Sequence, residues 1–252
     1  MNESAGGEAA VVAGTGVCSY SGLVPDLVYS QGVVARGSTD PVLLVDSEGH
    51  AWITKLQPAP MLDHVAELVV AHLAAAVGIA TPPFAIGTVD RVLAEALIRG
   101  ELREARLGRT LQTRGLTLFA SRWLSGAHDV TSPPIGADDF LSQVLCLDLL
   151  VANPDRRHDH PNLLRSGVRL LAMDHAQALP WCRGQAVSQG LVAQHVATSL
   201  GLRPATLFIT EDQIKAAVEA VPADWWPRPD ARDATLDALV ERATVLSQGG
   251  IP

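Results

Sequence analysis

The sequence predicts an α+β fold in which a small antiparallel sheet with one helix comes first and a mostly helical half follows. Three observations predict it. β-forming runs separated by turns occur before residue 60, a helical apolar stripe covers residues 61–77, and helical periodicity dominates beyond residue 137. We therefore divide the chain into a flexible lead-in at 1–20, a sheet-containing unit at 21–126 and a helical unit at 127–252.

Composition places the chain among globular proteins and argues against nucleic acid as its main partner. Of its 252 residues, 48% are hydrophobic, and the formal net charge is −8. Proteins that bind duplexes usually present a basic face, whereas no run of Lys and Arg here is longer than a pair. An acidic chain can still bind a nucleotide, because a few local cations and a metal ion suffice to hold the phosphates.

Cysteine usage and hydropathy favour the cytoplasm. Cys18, Cys146 and Cys182 are too few and too widely spaced for a disulfide framework or a zinc site. The longest apolar stretch, residues 65–80, contains Glu67 and is too short and too polar to span a bilayer. The N-terminus lacks the charged and apolar regions of a signal peptide. We therefore expect a cytoplasmic protein that has no membrane partner.

The first strands are predicted to form an antiparallel meander that ends on Lys55. Residues 27–35, 42–45 and 50–56 are β-type runs. The segments between them are rich in Gly, Ser, Asp and Pro, which are residues typical of tight turns.

A helix and two further strands complete the predicted front half. Residues 61–77 carry apolar side chains at helical spacing, and Gly78 is a suitable helix stop. Residues 84–89 and 117–124 have strand patterns. The charged segment 99–114 between them predicts a surface excursion.

The back half is predicted to be mainly helical. Residues 125–137 are rich in Gly, Ser and Pro and indicate a linker. The predicted helices are 138–151, 212–221 and 231–247, and short strands are predicted at 163–164 and 169–173.

A polar loop at residues 153–162 contributes two candidate functional residues. Asp155 and Asn162 lie in this loop, and Asp174 follows the second short strand. The layout suits phosphoryl transfer, in which one carboxylate lies near the attacking hydroxyl. A second carboxylate and an amide oxygen then hold Mg²⁺ against the nucleotide phosphates. A β-hairpin between the two segments would bring Asn162 and Asp174 together.

The front half offers groups that could hold phosphates. Lys55 is the only lysine before residue 215, and its compact charge could pair with the α- and β-phosphates. Glu67 interrupts the apolar helix and could fix the position of Lys55. Gly37, Ser38 and Thr39 lie between the first two strands and could present backbone N–H groups to a phosphate.

Taken in order, these residues resemble the HipA-like kinases, a bacterial branch of the protein-kinase-like superfamily, from about residue 27 to about residue 200. The matching segments are Gly37-Ser38-Thr39, Trp52-Ile53-Thr54-Lys55, Glu67 with the Leu-Val-Val-Ala-His-Leu that follows it, Gly78-Ile-Ala-Thr-Pro-Pro, Asn153-Pro154-Asp155-Arg156, Pro161-Asn162-Leu163-Leu164 and Met173-Asp174-His175-Ala176. The last segment is similar to the Asp-Phe-Gly metal motif of kinases, with His-Ala in place of Phe-Gly.

The resemblance implies a two-lobed fold and a role for each candidate residue. Lys55 and Glu67 would be the ion pair of the N-lobe, Asp155 the catalytic base, and Asn162 and Asp174 the metal ligands. The implied cofactors are ATP and Mg²⁺. The implied reaction is transfer of the γ-phosphoryl group to a hydroxyl of a protein Ser/Thr or of a small molecule.

One spacing departs from the kinase pattern. Many kinase-like enzymes place the metal-binding Asn five residues after the catalytic Asp, whereas Asn162 comes seven residues after Asp155. Asp148 and Asn153 have the five-residue spacing, but Asp148 lies within an apolar helix, so we assign the roles to Asp155 and Asn162. The altered loop keeps a second function open, which is that of a non-catalytic nucleotide-binding module.

A metal-dependent phosphohydrolase is the third function that the residues allow. His72, the pair His158-Asp159 and Asp174 have the order of ligands found in metal phosphohydrolases, and His158 and His160 have a hydrolase-like spacing. The prolines that bracket this loop argue against the helices that such a site needs.

Overall fold

A computed structural model describes residues 26–33, 41–55, 61–99, 108–109, 112, 117–188 and 190–252, and its fold is of the α+β class. The predicted lead-in at 1–20 lies outside these ranges, as does most of the charged segment 99–114. The strands are β1 (Asp26–Val33), β2 (Val42–Asp46), β3 (Ala51–Thr54), β4 (Phe84–Val89), β5 (Thr117–Arg122), β6 (His128–Asp129), β7 (Leu163–Ser166) and β8 (Arg169–Ala172). The α-helices are α1 (Leu62–Ala76), α2 (Arg91–Arg99), α3 (Asp138–Val151), α4 (Leu191–Gln194), α5 (Val196–Ser199), α6 (Glu211–Glu219) and α7 (Ala231–Ser247), and 3₁₀ turns cover Pro180–Arg183 and Ala223–Trp225.

The front sheet closes on itself in the order β1-β2-β3-β5-β4. The predicted meander β1-β2-β3 is confirmed as antiparallel. The prediction of a purely antiparallel sheet is wrong at one contact, because β1 pairs with β4 in parallel. Gly87 permits this contact, since a Cβ there would lie 2.6 Å from Cδ1 of the buried Leu27.

Helix α1 packs against this sheet and is buried on almost every side. Its buried residues include most of the apolar stripe that the sequence predicts and also three polar residues, Asp63, His64 and Glu67. The helix ends as predicted, with Gly78 at a φ of 76°. Because polar side chains are rarely buried without partners, the three polar residues on α1 mark the face that meets the functional site.

The central helix and the hairpin after it form the base of the site. Helix α3 has the predicted bounds, and the residue that caps its C-terminus, Ala152, has a φ of 52°. Strands β7 and β8 pair as a hairpin, which confirms the predicted connection between the polar loop and Asp174. The predicted linker is wrong in one detail, because it contributes strand β6, which pairs with β7.

The remaining helices pack around α1 and α3. Helix α1 contacts α6, helix α6 contacts α7, and α7 contacts α3. Buried apolar side chains from the sheet and from the helices form one core cluster. The division into units at 126/127 and the two-lobed arrangement stay predictions. None of the helices that the structure describes is long and apolar enough to cross a membrane.

Candidate active site

A cleft of about 890 Å³ lies between the front sheet and the β6–β8 sheet. Four of the predicted site residues line it, and these are Lys55, Glu67, Asn162 and Asp174. The front side of the cleft comes from β3, α1 and β5, and the back side comes from the polar loop and the β7–β8 hairpin. Residues 119 positions apart in the sequence therefore face the same space.

Lys55 lies at the end of β3 and joins two carboxylates from different parts of the chain. Its Nζ lies 2.7 Å from Glu67 Oε1 and also donates a hydrogen bond to Asp174 Oδ1. Burial alone would lower the pKa of Lys55, but the two carboxylates outweigh burial and raise the pKa above its ordinary value. Lys55 is therefore a fixed positive charge in the cleft. We call these three residues the Lys55 cluster.

Glu67 connects helix α1 to the segment that carries Asp174. One carboxylate oxygen accepts from Lys55, and the other accepts the backbone N–H of His175 at 3.0 Å. The bidentate use of this carboxylate explains why a glutamate occupies a position that is only 6% exposed.

Asp174 follows β8 in a left-handed conformation, with a φ of 58°. Such a φ is uncommon for a residue other than glycine and needs support from its surroundings. Burial would raise the pKa of Asp174, but the Lys55 ammonium outweighs burial and holds the pKa below its ordinary value. The carboxylate is therefore ionised near neutral pH, and its side chain is 37% exposed toward the cleft.

The polar loop folds back so that Asn162 reaches Asp155 despite the seven-residue spacing. Asn162 Nδ2 donates to the backbone oxygen of Asp155 at 3.1 Å and lies 3.4 Å from its Oδ2. Asn162 also has a positive φ, of 48°. Its amide NH₂ is engaged by Asp155, so its Oδ1 remains available as an acceptor.

The described residues fit a magnesium–nucleotide site better than a site made by protein ligands alone. Mg²⁺ prefers a few oxygen ligands supplemented by phosphate and water, and Asn162 Oδ1 and the Asp174 carboxylate are ligands of this kind. Within the described ranges, no group of three or more His, Cys, Asp or Glu side chains could hold a metal ion. The His/Asp cluster that a phosphohydrolase needs is therefore not formed there, and His158, Asp159 and His160 are exposed.

The predicted phosphate-binding turn, Gly37-Ser38-Thr39, lies outside the described residues. Its role stays a prediction.

Sequence reasoning missed a second charged group, which lies beneath the cleft. Arg156 and Asp148 are fully buried, and Arg156 Nε lies 2.5 Å from Asp148 Oδ2. His195 Nε2 lies 3.0 Å from the same oxygen. Burial would raise the pKa of Asp148, but Arg156 and His195 together lower it well below its ordinary value. Asp148, Arg156, His175 and His195 form what we call the Arg156 cluster.

One signal in the sequence could have revealed this group. Asp148 stands within the apolar run Leu147-Asp148-Leu149-Leu150, and an ionised carboxylate buried in a helix requires a charged partner. Asn153, five residues later, donates to Asp148 Oδ1 at 3.0 Å. The five-residue spacing thus joins a buried pair that lies away from the cleft lining.

The chain is similar to a known protein family and to a solved structure. The model of the HipA-like kinase family matches residues 30–248. The crystal structure of the Helicobacter pylori proinflammatory kinase CtkA is similar to the chain, with a TM-score of 0.48 and 12% sequence identity over 89% of this chain and 99% of that one. No curated protein matches the chain. Because the family model covers most of the sequence, the chain belongs to the HipA-like kinase family and is a phosphotransferase.

Proposed function

We propose that the protein transfers the γ-phosphoryl group of ATP, together with Mg²⁺, to a hydroxyl group of a protein Ser/Thr or of a small molecule. The observation that carries this proposal is the Lys55 cluster. A single ammonium contacts one carboxylate on α1 and another directly after β8, at the edge of a cleft large enough for a nucleotide. Phosphoryl transfer depends mainly on positioning and on stabilising charge, and the Lys55 cluster supplies both.

In the proposed complex, Lys55 pairs with the α- and β-phosphates, and Glu67 keeps Lys55 in place. Asn162 and Asp174 hold Mg²⁺, which screens the phosphate charge when it is bound. Gly37, Ser38 and Thr39 are proposed to contribute backbone N–H groups to the phosphates.

Asp155 is proposed as the catalytic base that accepts the proton of the acceptor hydroxyl. It is half-buried at the start of the polar loop, and its backbone N–H is held by Asn153 Oδ1 at 3.2 Å. Asn162 contacts both its main chain and its carboxylate. These contacts support a fixed orientation of Asp155 beside the proposed metal ligand.

The adenine is proposed to lie against the backbone of residues 117–127, a segment that contributes Phe119, residues 121–124 and Ala127 to the cleft lining. Several N–H groups of this segment are already engaged. Phe119 donates to His64 Nδ1 at 3.0 Å, Arg122 donates to Pro83 O at 2.7 Å and Trp123 donates to Ala51 O at 2.9 Å. An adenine here would therefore use other backbone groups of the segment.

Assays of Mg-ATP turnover with variants of the Lys55 cluster test the proposal. We expect Asp174→Ala to abolish turnover, since it removes a proposed Mg²⁺ ligand. We expect Lys55→Ala to lower turnover by about 100-fold or more, since it removes the positive charge proposed to pair with the phosphates. Lys215→Ala is the matched control, because Lys215 is the other lysine of the chain and lies exposed on α6. Unaltered ATP consumption in both cleft variants would remove the assignment.

The same assay separates the proposed kinase from a non-catalytic nucleotide-binding module. Mg²⁺-dependent ATP binding, detected as thermal stabilisation, without any phosphorylated product or ADP release would select the module. Appearance of ADP together with a phosphorylated acceptor would select the kinase.

A further inference from the structure

Arg156 connects the two segments that carry the proposed metal ligands. Its Nη1 donates to the backbone oxygens of Pro161 at 3.0 Å and of Asn162 at 2.6 Å. Its Nη2 lies 3.4 Å from Met173 O and 3.3 Å from His175 Nδ1. One guanidinium thus contacts Asn162 itself and both neighbours of Asp174.

The backbone at these two positions needs such support. Asn162 and Asp174 both have left-handed conformations, at φ values of 48° and 58°. Residues other than glycine adopt this conformation at a cost, and they keep it only where the surroundings hold it. Arg156 supplies part of that support, and the hydrogen bond from Met173 N to Asn162 O, at 3.0 Å, supplies another part.

The guanidinium is itself held firmly from below. Asp148 binds its Nε, and the Asp148 carboxylate is held in turn by Asn153 and His195, each at 3.0 Å. Arg156 and Asp148 have no exposed side-chain surface, so no solvent competes for these bonds. The position of Arg156 is therefore set by Asp148 on α3 and by His195 at the start of α5. Arg156 in turn holds the main-chain carbonyls of Asn162 and Met173 beside the cleft.

We propose that Arg156, anchored by Asp148, is a positioning residue that sets the main chain of Asn162 and Asp174 for the magnesium–nucleotide complex. This inference rests on the proposed function, because Asn162 and Asp174 are metal ligands only in that proposal. Arg156 contacts neither nucleotide nor metal in this proposal, and it acts through the two ligand residues alone.

Arg156→Lys tests the inference through metal-dependent binding. Lysine keeps the charge opposite Asp148 but loses the planar fork that reaches the carbonyls of Asn162 and Met173. We expect the gain in ATP affinity caused by Mg²⁺ to fall by about 10- to 100-fold, as for other residues that orient metal ligands, while ATP affinity in EDTA changes by less than about twofold. Calorimetric titration of ATP with EDTA and with excess MgCl₂ measures both quantities.

Arg242→Lys is the matched control. Arg242 is also buried, but its Nε donates to backbone oxygens of Leu149 and Leu150 on α3 and not to the segments that carry Asn162 and Asp174. Its loss should lower the melting temperature without changing the Mg²⁺-dependent gain. If Arg156→Lys also lowers only the melting temperature, Arg156 merely stabilises the fold and the inference is overturned.

A second variant covers the case in which Arg156→Lys does not fold. Asp148→Asn preserves volume and leaves the guanidinium in place, but it weakens the anchor of that guanidinium. We expect the gain in ATP affinity caused by Mg²⁺ to fall in this variant too, but by less than in Arg156→Lys. A folded Asp148→Asn protein with the full gain would contradict the inference.

The binding measurement also separates this inference from the proposed function. If the wild-type protein binds Mg-ATP but transfers no phosphoryl group, the proposed function fails and the variants still test the role of Arg156. If the wild-type protein transfers phosphate and Arg156→Lys retains the full Mg²⁺-dependent gain, only the role of Arg156 fails.

Discussion

The Lys55 cluster and the Arg156 cluster both contain paired charges, but they differ in their access to solvent. Asp174 in the first keeps 37% of its side chain exposed and Lys55 keeps 16%, whereas Arg156 and Asp148 in the second keep none. Charges that must meet a ligand need an open side, and charges that hold the main chain are strongest when water is excluded. The comparison therefore predicts that substitutions in the Arg156 cluster cost more stability than substitutions in the Lys55 cluster, whose main effect is on turnover.

The largest expected effect on stability comes from breaking the buried pair. We expect Asp148→Leu to lower the free energy of unfolding by about 3–5 kcal/mol, because it leaves the Arg156 charge buried without a counter-ion. Urea denaturation at neutral pH measures this change. The double variant Asp148→Leu/Arg156→Met should recover part of the loss, since no unpaired charge remains. A loss below about 1 kcal/mol in the single variant would show that the Arg156 cluster contributes little to stability.

The two clusters also differ in how far the sequence predicts them. Lys55 and Asp174 stand out because each follows an apolar run, and Glu67 stands out because it interrupts one. Their order along the chain resembles a known family. Arg156 and His195 lie in polar or irregular surroundings, and their meeting with Asp148 depends on the packing of α3 against α5. Local sequence patterns do not predict contacts between residues so far apart in the chain.

The helices and strands likewise differ in how well local sequence patterns predict them. Periodicity places β4, α3 and α7 within their observed bounds because each is long or strongly patterned. Sequence reasoning missed helix α2, which is only nine residues long and borders the charged segment 99–114, although six of its residues are apolar and Asp90 marks its start. The Asp90 side chain accepts the N–H of Leu93 at 2.6 Å, as an N-cap does.

The second largest expected effect is a loss of stability at acidic pH, which compares a buried histidine with an exposed one. His64 is buried, and burial, with a smaller contribution from the Lys55 charge, lowers its pKa from 6.5 to about 3. In the unfolded chain His64 binds a proton below its ordinary pKa, whereas in the folded chain it stays neutral down to about pH 3. The unfolded state therefore gains protons first, and stability falls as the pH drops through this window.

For His64 this loss should amount to about 2 kcal/mol between pH 7 and pH 5. We expect His64→Asn to remove that part of the pH dependence, because the Asn oxygen can replace Nδ1 as acceptor of the Phe119 N–H. Urea denaturation at several pH values compares the two proteins. His128→Asn serves as the control, since His128 is exposed on β6. Equal slopes for wild type and His64→Asn would contradict the prediction.

The third expected effect is a moderate loss of stability, together with a larger loss of turnover, in a variant of the Lys55 cluster. We expect Glu67→Gln to lower the free energy of unfolding by about 1.5 kcal/mol, because a neutral amide weakens one charge-assisted hydrogen bond while Lys55 keeps its bond to Asp174. Turnover should fall by about 10-fold or more, since Lys55 is then held from one side only. Denaturation and Mg-ATP assays of the same preparation measure the two changes. A loss of stability as large as that of Asp148→Leu would erase the distinction between the two clusters.

The smallest expected effect belongs to an ion pair whose two side chains are about half exposed. Arg232 Nη2 lies 3.2 Å from Glu219 Oε1 between α7 and α6, and the two side chains are 44% and 46% exposed. We expect Arg232→Ala to change the free energy of unfolding by about 0.5 kcal/mol or less, and concentrated NaCl to reduce even that, because water and salt screen the pair. The three charge pairs would then form a series in which the contribution to stability rises with burial. A loss near 3 kcal/mol at this surface pair would break the series.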